Sequence, residues 1–225
     1  MRLLSLSSIL IALLLPAYGS TAGRFLVAEP GLKGSRFERT VVLMVRHDAQ
    51  GALGLVVNRP LSVEAAELLP EIEGLATAGR TLHWGGPVGE RGITLLLRSD
   101  EAVEGSDAVL DDVRFGWDGE LLRRLAREEG RTFRLFAGYA GWSAGQLEGE
   151  LERGVWQVID AESDRVFTEA PEALWRELSA SDPSLRASGS SRGVVFFGFA
   201  EVPRALGEGE ESIVDQAVQP LAELP

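Results

Sequence analysis

The residue types best suited to chemistry lie in one glycine-rich stretch at residues 138–148, which reads GYAGWSAGQLE. Within it, residues 141–145 match the pattern G-x-S-x-G, in which a serine on a tight strand-to-helix turn acts as a nucleophile. The apolar run at 132–137 predicts the required strand, and residues 144–153, stopped by Gly154, predict the helix. The local pattern is therefore compatible with the nucleophile turn of a serine hydrolase.

The remaining hydrolase machinery is not evident around Ser143. In α/β hydrolases the acid and the histidine follow the serine along the chain, whereas His47 and His83 both precede it. Ser143 also stands three residues before Gln146, so its hydroxyl would accept a bond from the Gln146 N–H while the Gln146 side chain bonds the Ser143 N–H. We therefore favour a helix cap. A nucleophile served by His47 or His83, or a contact to a ligand, are the alternatives.

Phosphate binding is the next chemistry that a glycine-rich loop suggests. A Walker loop requires a lysine after its last glycine, and Lys33 is the only lysine in the sequence. The dinucleotide pattern G-x-G-x-x-G is absent from the stretch. Backbone N–H groups at a helix N-terminus can attract an anion, but glycines equally serve a tight turn and close packing. We favour the second interpretation.

Metal, cofactor and thiol chemistry find no support in the sequence. The absence of cysteine excludes disulfides, thiol catalysis and zinc–thiolate sites. His47 and Asp48 are neighbours and His83 lies far away, so these side chains lack the spacing of metal ligands. We predict no metal and no cofactor. His47 is expected at a hairpin turn, exposed or bonded to backbone, and His83 is expected either packed in a strand or donating into a pocket.

The net charge argues against a nucleic-acid partner. The chain carries a formal charge of -12 at pH 7, whereas contacts to phosphates need clustered lysine and arginine. The most basic segment is 123–134, but Glu120, Glu128 and Glu129 accompany its arginines, as on a solvated helix face. Direct binding of nucleic acid is therefore not expected.

The segment at 138–151, GYAGWSAGQLEGEL, resembles the hallmark of the YqgE/AlgH family. The resemblance covers about residues 23–184. Further blocks agree with the family in order and spacing: FLVAEP at 25–30, FERTVV at 37–42, HDAQGALGLVVNRP at 47–60, GGPV at 85–88, and a closing block with Phe167, Pro171 and Trp175. Three features depart from the usual pattern: Glu29, the His83-Trp84 pair, and Ser143, where relatives often have glycine.

The resemblance implies a fold more than a reaction. It implies an α+β domain whose bifurcated mixed sheet curls toward a pseudo-barrel with a few packed helices. The family carries the label of transcriptional regulator, and the resemblance implies no established catalytic activity. Predicted strands and helices that mix without regular βαβ alternation favour the same α+β class.

Hydrophobic patterning predicts the elements that position these residues. The strands are predicted near 24–28, 40–46, 53–57, 81–84, 92–97, 112–116, 132–137 and 155–159. The helices are predicted at 63–69, 119–129, 144–153 and 172–179. The apolar run at 40–45 indicates a strand buried on both faces, and a turn at 48–51 makes 40–57 a hairpin. Ser62 and Asp118 are predicted N-caps.

Residues 1–22 resemble an export signal. Arg2 supplies a positive charge, and the apolar run at 3–15 is too short to span a bilayer as a mature helix. The two candidate cleavage motifs are Ala17-x-Gly19 and Ser20-x-Ala22. We therefore expect a periplasmic or otherwise exported protein. A misplaced start codon, a buried N-terminal helix and a cytoplasmic location are the alternatives.

The predicted domain organisation has three parts. The export signal at 1–22 precedes the α+β domain at 23–184, and a variable tail follows at 185–225. The stretch at 179–192 is rich in small and polar residues and is typical of a linker. The apolar run at 194–200 is expected to dock as an edge strand or to meet a partner, because exposure would favour aggregation.

These observations predict a non-enzymatic, exported protein that binds a small ligand or another protein. The motifs are expected to converge on one surface, where arginines donate charge-assisted hydrogen bonds and aromatic side chains supply rigid contact area; the alternative is that they hold the fold together. The predicted lining residues are Arg39, Asn58, Arg59, Gly85, Gly86, Pro87, Tyr139, Trp142, Gln146 and Glu148. A cytoplasmic protein that affects transcription indirectly and a serine hydrolase are the alternative functions.

Overall fold

A computed structural model of the protein describes residues 19–75 and 81–181. Its strands are β1 (Arg24–Ala28), β2 (Val41–Asp48), β3 (Gly51–Val56), β4 (Pro60–Glu64), β5 (Thr81–Trp84), β6 (Val88–Arg98), β7 (Ser106–Leu110), β8 (Val113–Gly116), β9 (Phe133–Ser143) and β10 (Trp156–Asp160). They form one curled sheet in the order β10-β1-β2-β3-β9-β6-β8-β7, with β5 joining β4 to β9 beside this path. Most of the predicted export signal and the whole predicted tail lie outside the described residues.

Short helices pack on the sheet. They are α1 (Ala65–Leu68), α2 (Gly119–Arg127), α3 (Gln146–Glu152), α4 (Ser163–Val166) and α5 (Leu174–Ser181), with 3-10 turns at Pro30–Leu32 and Pro171–Ala173. Among the described residues no helix has both the length and the apolar character needed to cross a membrane. The predicted linker overlaps the end of α5, which continues to Ser181.

The sheet divides at β9. The first half of β9 pairs in parallel with β5, where Leu135 lies opposite Leu82, and antiparallel with β6. Its second half pairs antiparallel with β3, where Ser143 lies opposite Gly51. The curled, mainly antiparallel sheet forms a half-barrel with a few helices. The predicted α+β class and the mixed, curled sheet are confirmed.

The two faces of the sheet bury separate hydrophobic clusters. Strand alternation sends successive side chains to opposite faces, so Val41 and Leu43 join one cluster while Val42 and Met44 join another. A third cluster packs α2 against β6 and β9. Because β2 is covered on both sides, its first four residues are fully buried. The prediction from its uninterrupted apolar run is therefore confirmed, as is the hairpin of β2 and β3.

One predicted helix cap is confirmed and another is wrong. Asp118 accepts a hydrogen bond from the Glu120 N–H (2.9 Å), and the leucines of α2 are buried as its periodicity predicts. Ser62 instead lies within β4, and Glu64 precedes α1 without a side-chain cap. Ser62 cannot cap the helix, because residues 60–64 form a strand that pairs with β5 and the helix begins only after that strand.

The first part of the glycine-rich stretch, residues 138–143, is a strand and not a loop. Residues 138–143 continue β9, because their backbone pairs with β3 and with Val88 of β6. Three short elements escape prediction from patterning, namely β4, β7 and α4. Each has four or five residues, too few to display a clear hydrophobic period.

Candidate functional site

Asn58 holds the loop that connects β1 to β2. Its side chain is almost fully buried, at 5 % exposure. The Oδ1 atom accepts a hydrogen bond from the Val41 N–H (2.8 Å), and Nδ2 donates to the Arg39 carbonyl (2.9 Å). Both bonds satisfy main-chain groups that adjoin the core. Asn58 therefore positions the loop rather than presenting its amide to a ligand.

Arg59 holds the same loop through two further hydrogen bonds. Its Nη1 donates to the Arg36 carbonyl (2.5 Å), and its Nη2 donates to the Glu38 carbonyl (2.7 Å). Burial lowers the pKa of the Arg59 guanidinium from its ordinary value, partly offset by the nearby Glu38 carboxylate. Two consecutive residues thus grip four backbone groups of residues 36–41, and we call this segment the clamped loop.

The clamped loop holds Arg39 in an unfavourable conformation. Arg39 has φ = 55°, and it is the one non-glycine residue with positive φ among those described. Such a conformation costs on the order of 1–2 kcal/mol for a residue with a Cβ atom. The bond from Asn58 to the Arg39 carbonyl helps to maintain it. Strain of this kind is concentrated at functional sites, and it marks the loop as a candidate.

A first hollow lies beside the clamped loop. It has a volume of about 330 Å³ and is lined by Arg36, Arg59, Pro60, Leu61 and Trp84. The guanidinium carbons of Arg36 and Arg59 lie 5.1 Å and 5.0 Å from the Trp84 ring centroid, within cation–π range. The hollow therefore joins two cations to one indole.

Glu90 lies beside the first hollow and contacts two of its lining residues, Trp84 and Arg36. Its carboxylate accepts a hydrogen bond from the Trp84 indole N–H (2.8 Å) and forms an ion pair with Arg36. The indole bond and the Arg36 guanidinium lower the pKa of Glu90, against a smaller opposing effect of burial. Two arginines and one glutamate leave this hollow positively charged in a chain of net charge -12.

A second hollow is associated with the same loop. It has a volume of about 290 Å³ and is lined by Arg39, Glu172, Trp175 and Arg176. The Arg39 guanidinium lies 5.8 Å from the Trp175 ring centroid, and the Trp175 indole N–H donates to the Ala28 carbonyl (2.8 Å). Again two arginines, one glutamate and one tryptophan come together.

Gly85 and Gly86 serve close packing of two chain segments. A Cβ atom at Gly85 would lie 2.2 Å from the Gly138 carbonyl oxygen, and one at Gly86 would lie 2.2 Å from the Tyr139 carbonyl carbon. Gly85 also donates its N–H to the Ala137 carbonyl (2.8 Å). Pro87 follows them, half-buried. The motif therefore fixes the point where the sheet divides.

Trp142 and Gln146 belong to a second structural group, centred on Glu150. The Glu150 carboxylate accepts hydrogen bonds from the indole N–H groups of Trp142 (2.9 Å) and Trp156 (2.7 Å) and from the Gln146 amide (3.1 Å). Trp142 is 4 % exposed and packs in the core. These residues tie α3 to the sheet and do not face the clamped loop's hollows.

Glu148 pairs with a histidine on the same side of the sheet. Its carboxylate lies 3.1 Å from His47 Nε2, and His47 Nδ1 accepts a hydrogen bond from the Thr21 N–H (3.2 Å). The His47 side chain is 5 % exposed. Of the two expectations for His47, bonding to backbone is therefore correct and exposure is wrong, because α3 and the N-terminal segment cover the hairpin.

Ser143 makes only half of the predicted capping box. The Gln146 side chain accepts a bond from the Ser143 N–H (3.1 Å), as expected, and its Oε1 lies 3.2 Å from the Ser143 hydroxyl. The residue at the helix N-cap is Gly145, with φ = 76°. The predicted capping role of the hydroxyl is wrong, because Ser143 still belongs to β9.

No histidine bonds the Ser143 hydroxyl in the part of the chain that the structure describes. His47 contacts Thr21 and Glu148 through its two ring nitrogens. His83 lies on β5 against Phe136, with the ring centroids 5.4 Å apart. The serine–histidine pair needed for acyl transfer is therefore not assembled.

Tyr139 is half-buried and packs against the cluster that contains Phe136. Burial raises the pKa of its phenol, and the nearby Arg46 guanidinium opposes this. The ten residues predicted to share one surface thus separate into three groups. Arg39 lies in the clamped loop, which Asn58 and Arg59 hold in place. The Gly85–Pro87 motif and Tyr139 mark the dividing point, and the others anchor α3.

Sequence reasoning did not identify several residues that line the two hollows or lie beside them. These are Arg36, Trp84, Glu90, Glu172, Trp175 and Arg176. Trp84 precedes the GGPV block and Trp175 belongs to the closing block, so both stood beside motifs without being assigned a role. Among the described residues, no group of three or more histidine, cysteine, aspartate or glutamate side chains could hold a metal ion.

His83 is a packed strand histidine with a strongly altered titration. It is 5 % exposed, and its Nδ1 atom has no hydrogen-bond partner in the described protein. Burial, together with the nearby Arg134 guanidinium, lowers its pKa from 6.5 to about 4. The folded protein therefore keeps this imidazole neutral over a range in which the unfolded chain protonates it.

We expect burial of neutral His83 to lower the free energy of unfolding in mild acid. Between pH 6.5 and about 4, the unfolded chain binds a proton that the folded chain does not, so the free energy of unfolding should fall by up to about 3 kcal/mol. Urea unfolding across this range would measure the slope. The His83→Leu variant should lose this part of the pH dependence; parallel slopes for both proteins would contradict the assignment.

The comparisons with known proteins agree with this architecture. A family model described as AlgH-like (DUF179) matches residues 25–182. A UPF0301 protein from Chlorobium luteolum is 38% identical over 157 residues, which are 68% of this chain and 82% of the relative. A UPF0301 protein from Streptomyces avermitilis is 38% identical over 169 residues, covering 71% and 85%.

Solved structures show the same fold. The solution structure of the AlgH protein from Pseudomonas aeruginosa aligns with a TM-score of 0.64 and 28% identity, over 78% of this chain and 97% of that chain. The crystal structure of protein DIP2367 from Corynebacterium diphtheriae aligns with a TM-score of 0.61 and 23% identity, over 72% and 86%. By family model, sequence relatives and AlgH fold, this chain belongs to the AlgH-like family.

Proposed function

We propose that this protein is an exported binding module whose ligand surface is formed by the two arginine–tryptophan hollows beside the clamped loop. The observation that carries the proposal is the clamp itself. Asn58 and Arg59 use four hydrogen bonds to hold residues 36–41, while Arg39 remains strained. The clamp keeps Arg36 and Arg39 over two different tryptophans.

The chemistry of the hollows favours an anionic ligand. Each hollow presents two guanidiniums and an indole, and a guanidinium has five N–H donors in a fork that suits carboxylate and phosphate. Glu90 and Glu172 offset part of the charge, which favours a ligand with few charges over a polyanion such as nucleic acid. Pro60 and Leu61 would contact an apolar part of the ligand in the first hollow.

We propose binding rather than catalysis. The Ser143 hydroxyl contacts Gln146, and the two histidines are buried in other contacts. The arginines of the hollows can hold an anion, but the residues that line the first hollow supply no general base. The carboxylate of Glu90, beside the hollow, is already paired with Arg36. A cation–π and ion-pair surface of this kind suits recognition.

Tryptophan side chains offer a direct test of the proposal. The indole N–H signals of Trp84 and Trp175 should shift in two-dimensional NMR spectra as citrate or inorganic pyrophosphate is added. Trp117 is exposed elsewhere at 48%, so it is the internal control. Trp142 and Trp156 are not used as controls, because both rings pack on Phe37 of the clamped loop. Citrate and pyrophosphate distinguish carboxylate from phosphate recognition.

Charge removal from the clamped loop should weaken this binding. In the Arg36→Gln, Arg39→Gln double variant, we expect at least about tenfold weaker binding, equivalent to about 1.4 kcal/mol. The matched control is Arg123→Gln with Arg127→Gln, which removes the same charge from an exposed helix face. Unchanged affinity in the first variant, or no saturable shift with either anion, would contradict the proposal.

A further inference from the structure

Two cleavage motifs precede the folded domain, and they differ in what they would leave behind. Cleavage after Gly19 would leave a chain that begins at Ser20. Cleavage after Ala22 would leave one that begins at Gly23. Both motifs have small residues at the required positions, so local sequence does not distinguish them.

Residues 20–22 are part of the folded domain. Thr21 is 4% exposed, and its N–H donates to His47 Nδ1 (3.2 Å). The Thr21 hydroxyl lies 3.0 Å from the same nitrogen, and the Ser20 hydroxyl donates to the His47 carbonyl (3.0 Å). The Thr21 carbonyl accepts a bond from the Arg24 N–H (3.0 Å), at the start of β1.

His47 connects this N-terminal segment to the rest of the protein. Its Nε2 atom lies 3.1 Å from the Glu148 carboxylate of α3, and its side chain is 5% exposed. The order Thr21–His47–Glu148 therefore joins the first residues of the domain to the β2–β3 hairpin and to α3. Loss of Thr21 would remove the partners of a buried ring nitrogen, which is costly for a polar atom that water reaches poorly.

The two possible N-termini also meet different surroundings. Ser20 and Gly19 are exposed, and no atom lies within 4 Å of a Cβ built on Gly19. An ammonium group at Ser20 would remain in water. The Gly23 nitrogen instead donates to the Met44 carbonyl (2.8 Å), and a Cβ on Gly23 would lie 3.0 Å from the Val109 carbonyl oxygen. An ammonium group there would be formed inside a packed junction.

We infer that the mature protein begins at Ser20, after cleavage between Gly19 and Ser20, and that Thr21 then seals the His47–Glu148 contact. The inference rests on the export that we propose above. The reaction is hydrolysis of one peptide bond by a signal peptidase: water adds to the Gly19 carbonyl carbon, giving the Gly19 carboxylate and the Ser20 amine.

The test is the intact mass and N-terminal sequence of the full-length chain, produced with its own leader in a Gram-negative host and purified from the periplasm. We expect a chain that begins at Ser20. A periplasmic chain that begins at Gly23, or at any other residue, would overturn this inference while leaving export in place. An uncleaved cytoplasmic chain would overturn the export proposal together with the inference.

Matched variants sharpen the test. Gly19→Glu places a charged side chain immediately before the inferred scissile bond, so it should block production of the Ser20 form. Ala22→Glu alters the exposed last residue of the other motif, and its product should still begin at Ser20. Cleavage of Gly19→Glu at an unchanged rate, or blocked cleavage of Ala22→Glu, would overturn the assignment.

A stability comparison separates the role of Thr21 from processing. Chains produced without a leader and beginning at Ser20 or at Gly23 should both fold, and the shorter chain should unfold at a lower urea concentration. Ala22→Gly in the Ser20 form controls for the truncation, because Ala22 is exposed. Equal unfolding midpoints for the Ser20 and Gly23 chains would overturn the proposed contribution of the Thr21–His47 hydrogen bonds to stability.

Discussion

Replacing Gly85 with alanine is expected to lower the free energy of unfolding by about 3 kcal/mol or more, the upper range for overpacking a rigid site. The added Cβ would lie 2.2 Å from the Gly138 carbonyl oxygen and 3.0 Å from the Phe136 Cβ atom. The close neighbours belong to the backbone of β9, which pairs with β5, β6 and β3 and has little freedom to move.

The measurement is urea unfolding followed by far-UV circular dichroism. Gly31→Ala is the matched control, since a Cβ atom there meets nothing within 4 Å, and it should change stability by less than about 0.5 kcal/mol. The Trp84 indole signal should also shift in Gly85→Ala, because Trp84 is the adjacent residue. Wild-type stability of Gly85→Ala would mean that the two segments do not approach as closely as the structure indicates.

Replacing Asn58 with alanine is expected to lower the free energy of unfolding by about 2–4 kcal/mol, because it leaves a buried backbone N–H and a partly buried carbonyl without their partners. The Val41 N–H and the Arg39 carbonyl both bond to the Asn58 amide. Without these bonds, the left-handed conformation of Arg39 at φ = 55° loses the side-chain contact that helps to maintain it, and of the four clamping bonds only the two from Arg59 remain. The clamped loop should relax, and Arg39 should leave the ring of Trp175.

Two readouts separate stability from loop position. Urea unfolding gives the free energy, and the Trp175 indole signal reports on the Arg39 contact. Gln50→Ala is the control, since it removes an exposed amide from the β2–β3 turn. A loss of less than about 0.5 kcal/mol in Asn58→Ala, typical of surface sites, would show that the clamp does not hold the loop.

Packing, more than chemistry, accounts for the residues of the family's hallmark segment at 138–151. Gly138 lets the β9 backbone approach the Gly86 carbonyl, 2.6 Å from where its own Cβ would lie. Trp142 and Gln146 meet at Glu150, and this contact anchors α3. The residues of the proposed ligand surface lie elsewhere, on the clamped loop and on the tryptophans that flank it.

The described core of the fold follows from local patterns in the sequence. The apolar runs predict β1, β2 and β5 within a residue or two, because burial on one or both faces leaves a clear period. Asp118 predicts the start of α2, since an N-cap bonds a backbone N–H two residues away. Both signals depend on neighbours along the chain, so the sequence displays them directly.

The proposed binding surface depends on residues that are distant in the sequence. Arg39, Asn58 and Arg59 were predicted to contact a ligand, but only the fold shows that Asn58 and Arg59 grip the loop that carries Arg39. The pairing of Trp84 with Arg36 likewise needs β5 to lie beside the loop.

The sequence by itself therefore determined eight of the ten described strands, the α+β class and the family of this protein. Only the tertiary structure decided that residues 138–143 are a strand and that Ser143 is not a cap. Glycines in a sequence indicate a turn on average, yet here Gly85 and Gly138 allow two backbones to touch. Such contacts join segments that are far apart in the chain, and no local pattern encodes them.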